Sequence, residues 1–292
     1  MYMRVSFLAL QVGSVNVGYV NYITPKTFPN RCSFFGYIYR VNAFMKHCTI
    51  AIAIACLLTA CGQGAQKATA IDSSSAGTTT APDSGWISLF NGKNFTGWHT
   101  YGDTVVGSAW NIDGGAIHLQ PGAKNGYQTK GGGDVVTDSA FGNFDLKISW
   151  KVGKKANSGI MFYVQDDKKK YPETWNTGPE SQVLDIDSNE DAHSPKHQVA
   201  DLYDLVACQT HPANPWGQWN KVEIISNHGH LDILLNGVSV IQTLLWDANW
   251  KKLIAASKFS TMPGFGMFTT GHFALQDHGE EVWYKDIWVR KL

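Results

Sequence analysis

The chain has 292 residues, 43% hydrophobic and 16% charged, with 24 Lys+Arg set against 24 Asp+Glu. That length allows one large domain or two small ones. The hydrophobic content excludes a disordered chain, and the lack of a basic excess argues against a general nucleic-acid binder.

The zero net charge sums two unlike parts. Residues 1–60 carry five basic residues (Arg4, Lys26, Arg31, Arg40, Lys46) and no acidic ones. All 24 acids lie in 61–292 beside 19 Lys+Arg, which gives that part a net charge of −5. From Met45 a short positive region at Lys46 leads into an apolar run, Thr49 to Leu58, that closes with L-T-A-C at 58–61. This is the pattern of a secretory signal, and its ending resembles the bacterial lipobox. The run is shorter than the ~20 residues of a spanning helix. Residues 45–60 are therefore expected to be removed, with Cys61 lipidated as the mature N-terminus. Residues 1–44 are expected to be an extension upstream of the true start at Met45. The Ser/Thr/Ala/Gly-rich stretch to residue 84 reads as a flexible tether. These signals place the protein in a bacterial cell envelope, lipid-anchored, periplasmic or at the outer membrane. Of five cysteines only Cys208 lies beyond Cys61, so the domain has no internal disulfide to rely on, and Cys208 reads as a small buried hydrophobe.

Residues 85–292 read as one domain, and their periodicity is two. Phe144, Leu146, Ile148, Trp150 and Val152 alternate with polar residues as a half-buried strand. Residues 158–165 form a second strand. Residues 220–226, 231–235 and 238–243 form a meander around Asn236-Gly237, a strong hairpin signal. Strands at 266–275 and 282–289 finish the chain, with a short helix possible only within 246–258. Many short strands with Gly-rich turns imply an antiparallel sandwich or jelly roll.

No H-E-x-x-H or G-x-S-x-G occurs, and Gly131-Gly132-Gly133 lacks the context of a phosphate loop. Two strands carry polar residues that point one way. In G-P-E-S-Q-V-L-D-I-D (178–187), Glu180 and Gln182 share one face, and Asp185 can join them only at a strand end or bulge. In G-H-F-A-L-Q-D-H-G (271–279), His272, Gln276 and His278 oppose Phe273 and Leu275. A carboxylate, two amides and an imidazole suit an acid–base or sugar-binding site. His193 and His197 are four apart, but Pro195 between them indicates a rim loop rather than a metal helix. Asp185, Asp187 and nearby carbonyls are candidates for holding a hard cation. All 11 tryptophans follow residue 85. Trp98, Trp110, Trp150 and Trp288 are expected in the core, while Trp175 and Trp216, in loop-like stretches, are candidates for stacking on a sugar ring.

The motifs W-I-S-L-F-N-G (86–92), G-G-D-V-V-T (132–137, containing Asp134), F-D-L-K-I-S-W-K (144–151), N-S-G-I (157–160), G-P-E-S-Q-V-L-D (178–185), L-Y-D-L (202–205), W-N-K-V-E-I (219–224) and G-H-F-A-L-Q-D-H-G occur in register. Together they resemble the 3-keto-disaccharide hydrolase domain family across 85–292. The family has an aromatic after the Glu where this chain has Ser181, a change expected to re-shape the cleft floor. The resemblance implies a concanavalin-like two-sheet jelly roll acting on 3-keto glycosides, oligosaccharides among them. A ketone at C3 acidifies the C2 proton, so a base removes it, the C1 substituent departs, and water adds back. On that reading Glu180 or His278 is the base. Gln182, Gln276, His272, Trp175, Trp216 and Asp134 bind the sugar, and Asp185 orients the imidazole or holds a cation. A sugar 3-dehydrogenase would supply the substrate. The competing reading is a non-catalytic, lectin-like carbohydrate-binding sandwich.

Overall fold

Period-two alternation builds strands throughout residues 85–292, the part of the chain that the computed structural model describes. The expected extension, signal segment, Cys61 and tether lie outside the described residues. In chain order the strands are Trp86–Ser88 (β1), Trp98–Thr100 (β2), Trp110–Asp113 (β3), Ala116–Leu119 (β4), Lys124–Asn125 (β5), Gln128–Thr129 (β6), Val135–Thr137 (β7), Phe144–Val152 (β8), Asn157–Val164 (β9), Glu180–Leu184 (β10), Asn220–Asn227 (β11), His230–Leu235 (β12), Val238–Leu244 (β13), His272–Leu275 (β14) and Val282–Lys291 (β15). One helix, Ala248–Ala255 (α1), starts at Asp247, whose side chain accepts from Trp250 N–H.

Two large antiparallel sheets and a two-stranded ribbon, β5-β6, result. The larger runs β13-β12-β11-β8-β15-β4-β3, with β1 also on β15, and the smaller runs β10-β9-β14-β7-β2. Alternation decides which side chains meet between them. Leu146, Ile148 and Trp150 from β8 and Val222 and Ile224 from β11 share one buried core with Ile160 and Phe162 of β9, Val183 of β10, and Phe273 and Leu275 of β14. A polar tie joins the layers inside that core: Ser158 Oγ lies 2.7 Å from Tyr284 Oη of β15 and donates to Gln276 O at 2.6 Å. The protein is thus an all-β, two-sheet antiparallel jelly-roll sandwich.

The meander at 220–244 forms as read. The expected strand at 266–275 is shorter. Residues 266–271 are held by other partners: Gly266 N–H donates to Thr177 O, and Gly266 O accepts the Trp250 indole N–H at 2.9 Å. Trp98, Trp110 and Trp150 are in the core as expected. Trp288 is not, because a register shift between Lys285 and Trp288 turns it to the outer face of the larger sheet. Trp250, within the segment expected to hold a short helix, is fully buried on α1.

His99 on β2 ties the edge of the smaller sheet to two loops, with Nδ1 2.7 Å from Asp138 and Nε2 2.9 Å from Asp166. Burial opposes its charge, but the two carboxylates outweigh burial and hold its pKa above the ordinary value. A raised histidine pKa stabilises the fold fully below the unfolded value of about 6.5 and loses that contribution as pH rises through the folded value. His99→Gln should therefore lower Tm at pH 5.5 and leave it nearly unchanged at pH 8.5. Asp138 is exposed, so screening holds the effect to about 1 kcal/mol, or about 2–4 °C. Thermal melts at the two pH values check this.

Candidate functional site

The smaller sheet turns its second face outward, and β10 lies at its edge. Glu180 and Gln182 point outward there, while Val183 points to the core. Register places Glu180 opposite Met161 and Gln182 opposite Gly159. The Glu180 side chain leans along the sheet over Gly159, where a Cβ would stand 1.7 Å from its Oε1. Glycine at 159 is thus what allows the carboxyl to lie flat on the sheet. Gln276, just past β14, joins this face and donates its backbone N–H to Gly159 O. Beside them on the same face Tyr101, Val136, Met161, Val164 and Ala274 form a small apolar patch with Trp175 packed on it. The exposed edge of β10 is covered by a loop: Ala200 N–H donates to Gln182 O, Gln182 N–H to Asp201 O, and Tyr203 N–H to Glu180 O. Covering the edge removes a row of open hydrogen-bonding groups and adds Tyr203 to the wall.

The result is a cavity of about 430 Å³ with Glu180, Gln182, Gln276 and Asn157 from the sheet. Its walls are Tyr127, Trp175, Asp191, Tyr203, Lys258, Phe259, Met262 and His278. The size suits a small-molecule site. Three buried oxygens in it have no protein partner: Glu180 Oε1, Gln182 Oε1 and Asn157 Oδ1. Buried polar atoms are nearly always paired, so three unpaired acceptors in one cavity suit a ligand rich in hydroxyl donors.

Electrostatics separates Glu180 from the other acids. It is 6% exposed, and burial, assisted by Asp134 and Asp191 against the pull of Lys258, pushes its pKa up to about 8. Burial likewise lowers Lys258, with Glu180, Asp204 and Asp191 resisting. His278 pairs through Nδ1 with Glu280 Oε2 at 3.0 Å, and Lys124 holds the other oxygen of Glu280. Burial raises the Glu280 carboxyl, yet these two partners outweigh burial and hold it below the usual range. Tyr127 Oη donates to Glu173 at 2.9 Å, and Trp175 stands behind it with Nε1 3.4 Å from that oxygen.

Several residues expected in the site lie elsewhere. Asp185 follows the end of β10. Burial alone would raise it, but Ser188 Oγ and the N–H groups of Lys155 and Asp187 hold it low. It is an anchor for its own turn and does not line the cavity. His272 shares a face with Gln276 but stands four residues up the strand, about 13 Å away, and its Nδ1 is 2.6 Å from Thr137 O. Trp216 is 46% exposed and beside Lys154, away from the cavity. Asp134 is buried below it. Its Oδ1 accepts Asp277 N–H and Gln128 Nε2, and its Oδ2 accepts the Thr174 hydroxyl. Ser181 is buried on the face of β10 opposite Glu180 and Gln182, with its backbone bridged to Leu202, and does not line the cavity. Cys208 is half-buried rather than buried. Among the described residues, neither Asp185 with Asp187 nor His193 with His197 joins a three-residue group of metal-capable side chains. Tyr127, Asn157, Asp191, Tyr203 and Lys258 were not singled out from the sequence. Asn157 and Tyr203 sit in quoted motifs, whereas Lys258 had no signal.

Comparison with known proteins agrees with this architecture. Residues 85–290 match the profile of the 3-keto-alpha-glucoside-1,2-lyase-like domain. A 3-keto-disaccharide hydrolase of Bacteroides thetaiotaomicron is 35% identical over 228 residues, covering 71% of this chain and 79% of that protein. A solved structure from Parabacteroides distasonis ATCC 8503, provisionally named a glycosyl hydrolase, is 30% identical with a TM-score of 0.64, covering 71% of this chain and 94% of that one. A second from the same strain, at 21% identity and a TM-score of 0.54, shares the fold.

The loops around the cavity hang on Asp277. Its buried carboxylate accepts Thr129 N–H and hydroxyl, Gly133 N–H and Gly279 N–H, and a Cβ on Gly132 would come within 2.1 Å of Oδ2. Asp277→Ala strands these donors, so unfolding in urea should show a loss of about 3 kcal/mol or more.

Proposed function

The chain belongs to the 3-keto-alpha-glucoside-1,2-lyase-like domain family, and on that basis we propose that its cavity cleaves 3-keto glycosides by elimination and rehydration. Membership places it among carbohydrate-acting hydrolases. The finer reading rests chiefly on one observation, a buried carboxyl with an unpaired oxygen whose pKa stands near 8. A base working near neutral pH is most effective with a pKa in that region.

Glu180 takes the proton from C2, which the C3 ketone acidifies. The electron pair forms the C1–C2 double bond as the C1–O bond breaks, and His278 protonates the departing oxygen. His278 acts as the imidazolium: Glu280 accepts its Nδ1–H, and the second proton, on Nε2, is the one given to the departing oxygen. Lys258, the one lysine in the cavity lining, stabilises the enolate oxygen at C3. Water then adds its hydroxyl to C1 and its hydrogen to C2, giving the free 3-keto sugar, and the two steps sum to hydrolysis. Gln182, Gln276 and Asn157 hold the sugar hydroxyls, and Trp175 offers a ring for stacking. The two-carboxylate spacing of ordinary glycosidases is not required by this route. A sugar 3-dehydrogenase is the class of enzyme that must supply the ketone. The L-T-A-C ending supports a protein held at the cell envelope through lipid on Cys61.

On a 3-keto disaccharide, Glu180→Gln should lower kcat by about 10²–10⁴ while ligand binding persists, and Asp185→Asn should retain turnover. Gly159→Ala displaces the same carboxyl and should lower kcat/KM at least tenfold. The base acts when deprotonated and the acid when protonated, so kcat/KM should trace a bell against pH, rising by up to about tenfold per unit on the acid limb as Glu180 ionises and falling on the alkaline limb as the His278 proton is lost. Wild-type turnover in Glu180→Gln would overturn the assignment. Binding without turnover in the wild-type protein would favour a lectin. Metabolic palmitate labelling that persists in Cys61→Ser would overturn the lipid anchor.

A further inference from the structure

We propose that Asp201, Cys208 and His211 bind a zinc-class transition-metal ion, at a site outside the cavity on the loop that covers the edge of β10. A carboxylate oxygen, the thiol sulfur and a ring nitrogen from these residues lie within 4.8 Å of one another. An O, S and N donor set suits zinc, whereas calcium and magnesium take oxygen. The ligand atoms of a tetrahedral zinc stand about 3.4 Å apart. Cys208 and His211 are half-exposed and can turn to close that gap, while Asp201 is fully buried and fixed.

The surroundings resemble a prepared outer shell. Asp201 Oδ1 accepts Cys208 N–H at 2.6 Å and Oδ2 accepts Gln198 N–H at 2.8 Å, which orients the carboxylate and leaves each oxygen a second lone pair. His211 Nδ1 lies 3.2 Å from Val199 O. A backbone carbonyl is a common partner for the non-ligating nitrogen of a metal-bound histidine, which in this proposal leaves Nε2 as the ligand. The thiol proton leaves to solvent on binding. Three protein ligands leave a fourth position for water. The ion ties Asp201 to His211 across the loop whose Ala200, Asp201 and Tyr203 backbones pair with β10. It acts as a clamp beside the cavity and takes no part in bond breaking.

The test is titration of the purified protein with Zn²⁺ by calorimetry and with Co²⁺ by absorption. One equivalent should bind, Zn²⁺ should raise Tm, and Co²⁺ should give a thiolate-to-metal charge-transfer band. Cys208→Ser should abolish the band, and both Cys208→Ser and His211→Ala should weaken Zn²⁺ binding at least tenfold. Should either variant misfold, alkylation of Cys208 in the wild-type protein decides, read on its own peptide by mass spectrometry. Zn²⁺ should slow that alkylation at least tenfold. Metal binding that neither substitution alters, a Co²⁺ spectrum without the thiolate band, or alkylation indifferent to Zn²⁺ overturns the site.

Discussion

A carboxyl group lying on a glycine is the contact around which the cavity is organised. Glu180 rests on the sheet because residue 159 has no side chain, and the 200–203 segment seals the edge of its strand. Neither feature supplies a donor to Oε1. Desolvation without compensation favours the neutral form, and that makes the group a base strong enough to be useful near neutral pH. A larger residue at 159 would lift it off the sheet, and an open edge would admit the water that restores an ordinary acid.

Neighbouring aspartates show the contrary arrangement. Asp185, Asp201 and Asp277 are as buried as Glu180, yet each is met by backbone N–H groups. They fix turns: Asp185 after β10, Asp201 in the covering loop, and Asp277 among the loops from β5–β6 to His278. The protein thus separates these four acids by donor count, with the three satisfied carboxylates used as scaffold and Glu180, whose Oε1 has no donor, facing the cavity. His278 lies between these classes, held by Glu280 and Lys124 at the rim.

The covering loop links two regions of the molecule. Its Tyr203 closes the cavity wall, and the same loop carries the Asp201, Cys208 and His211 cluster. Hydrogen bonds from residues 200–203 pass any stiffening of this loop to the strand that bears Glu180 and Gln182. On the other side the apolar patch that includes Met161 and Ala274 flanks Glu180 along the sheet.

Much of this was legible in the residues. Alternation along 144–152, 158–165 and 220–243 marked the strands and their inner faces, because a pleated strand sends successive side chains to opposite sides. The same rule put Glu180 with Gln182, and Gln276 with His278 opposite Phe273 and Leu275. What alternation could not show is where a strand stops and which loops return over it. Asp185 lost its place to Asp191 because β10 ends at Leu184 and the chain turns back through Asn189. His272 shares a face with Gln276 but not a position along it. Trp175 and Trp216 look alike in sequence, and only packing against the apolar patch distinguishes them. The sequence by itself determined the sandwich, its core and the chemistry of its outward strands, since those follow from local periodicity. Tertiary structure alone decided which carboxyl is left without donors, because that depends on contacts between residues far apart in the chain.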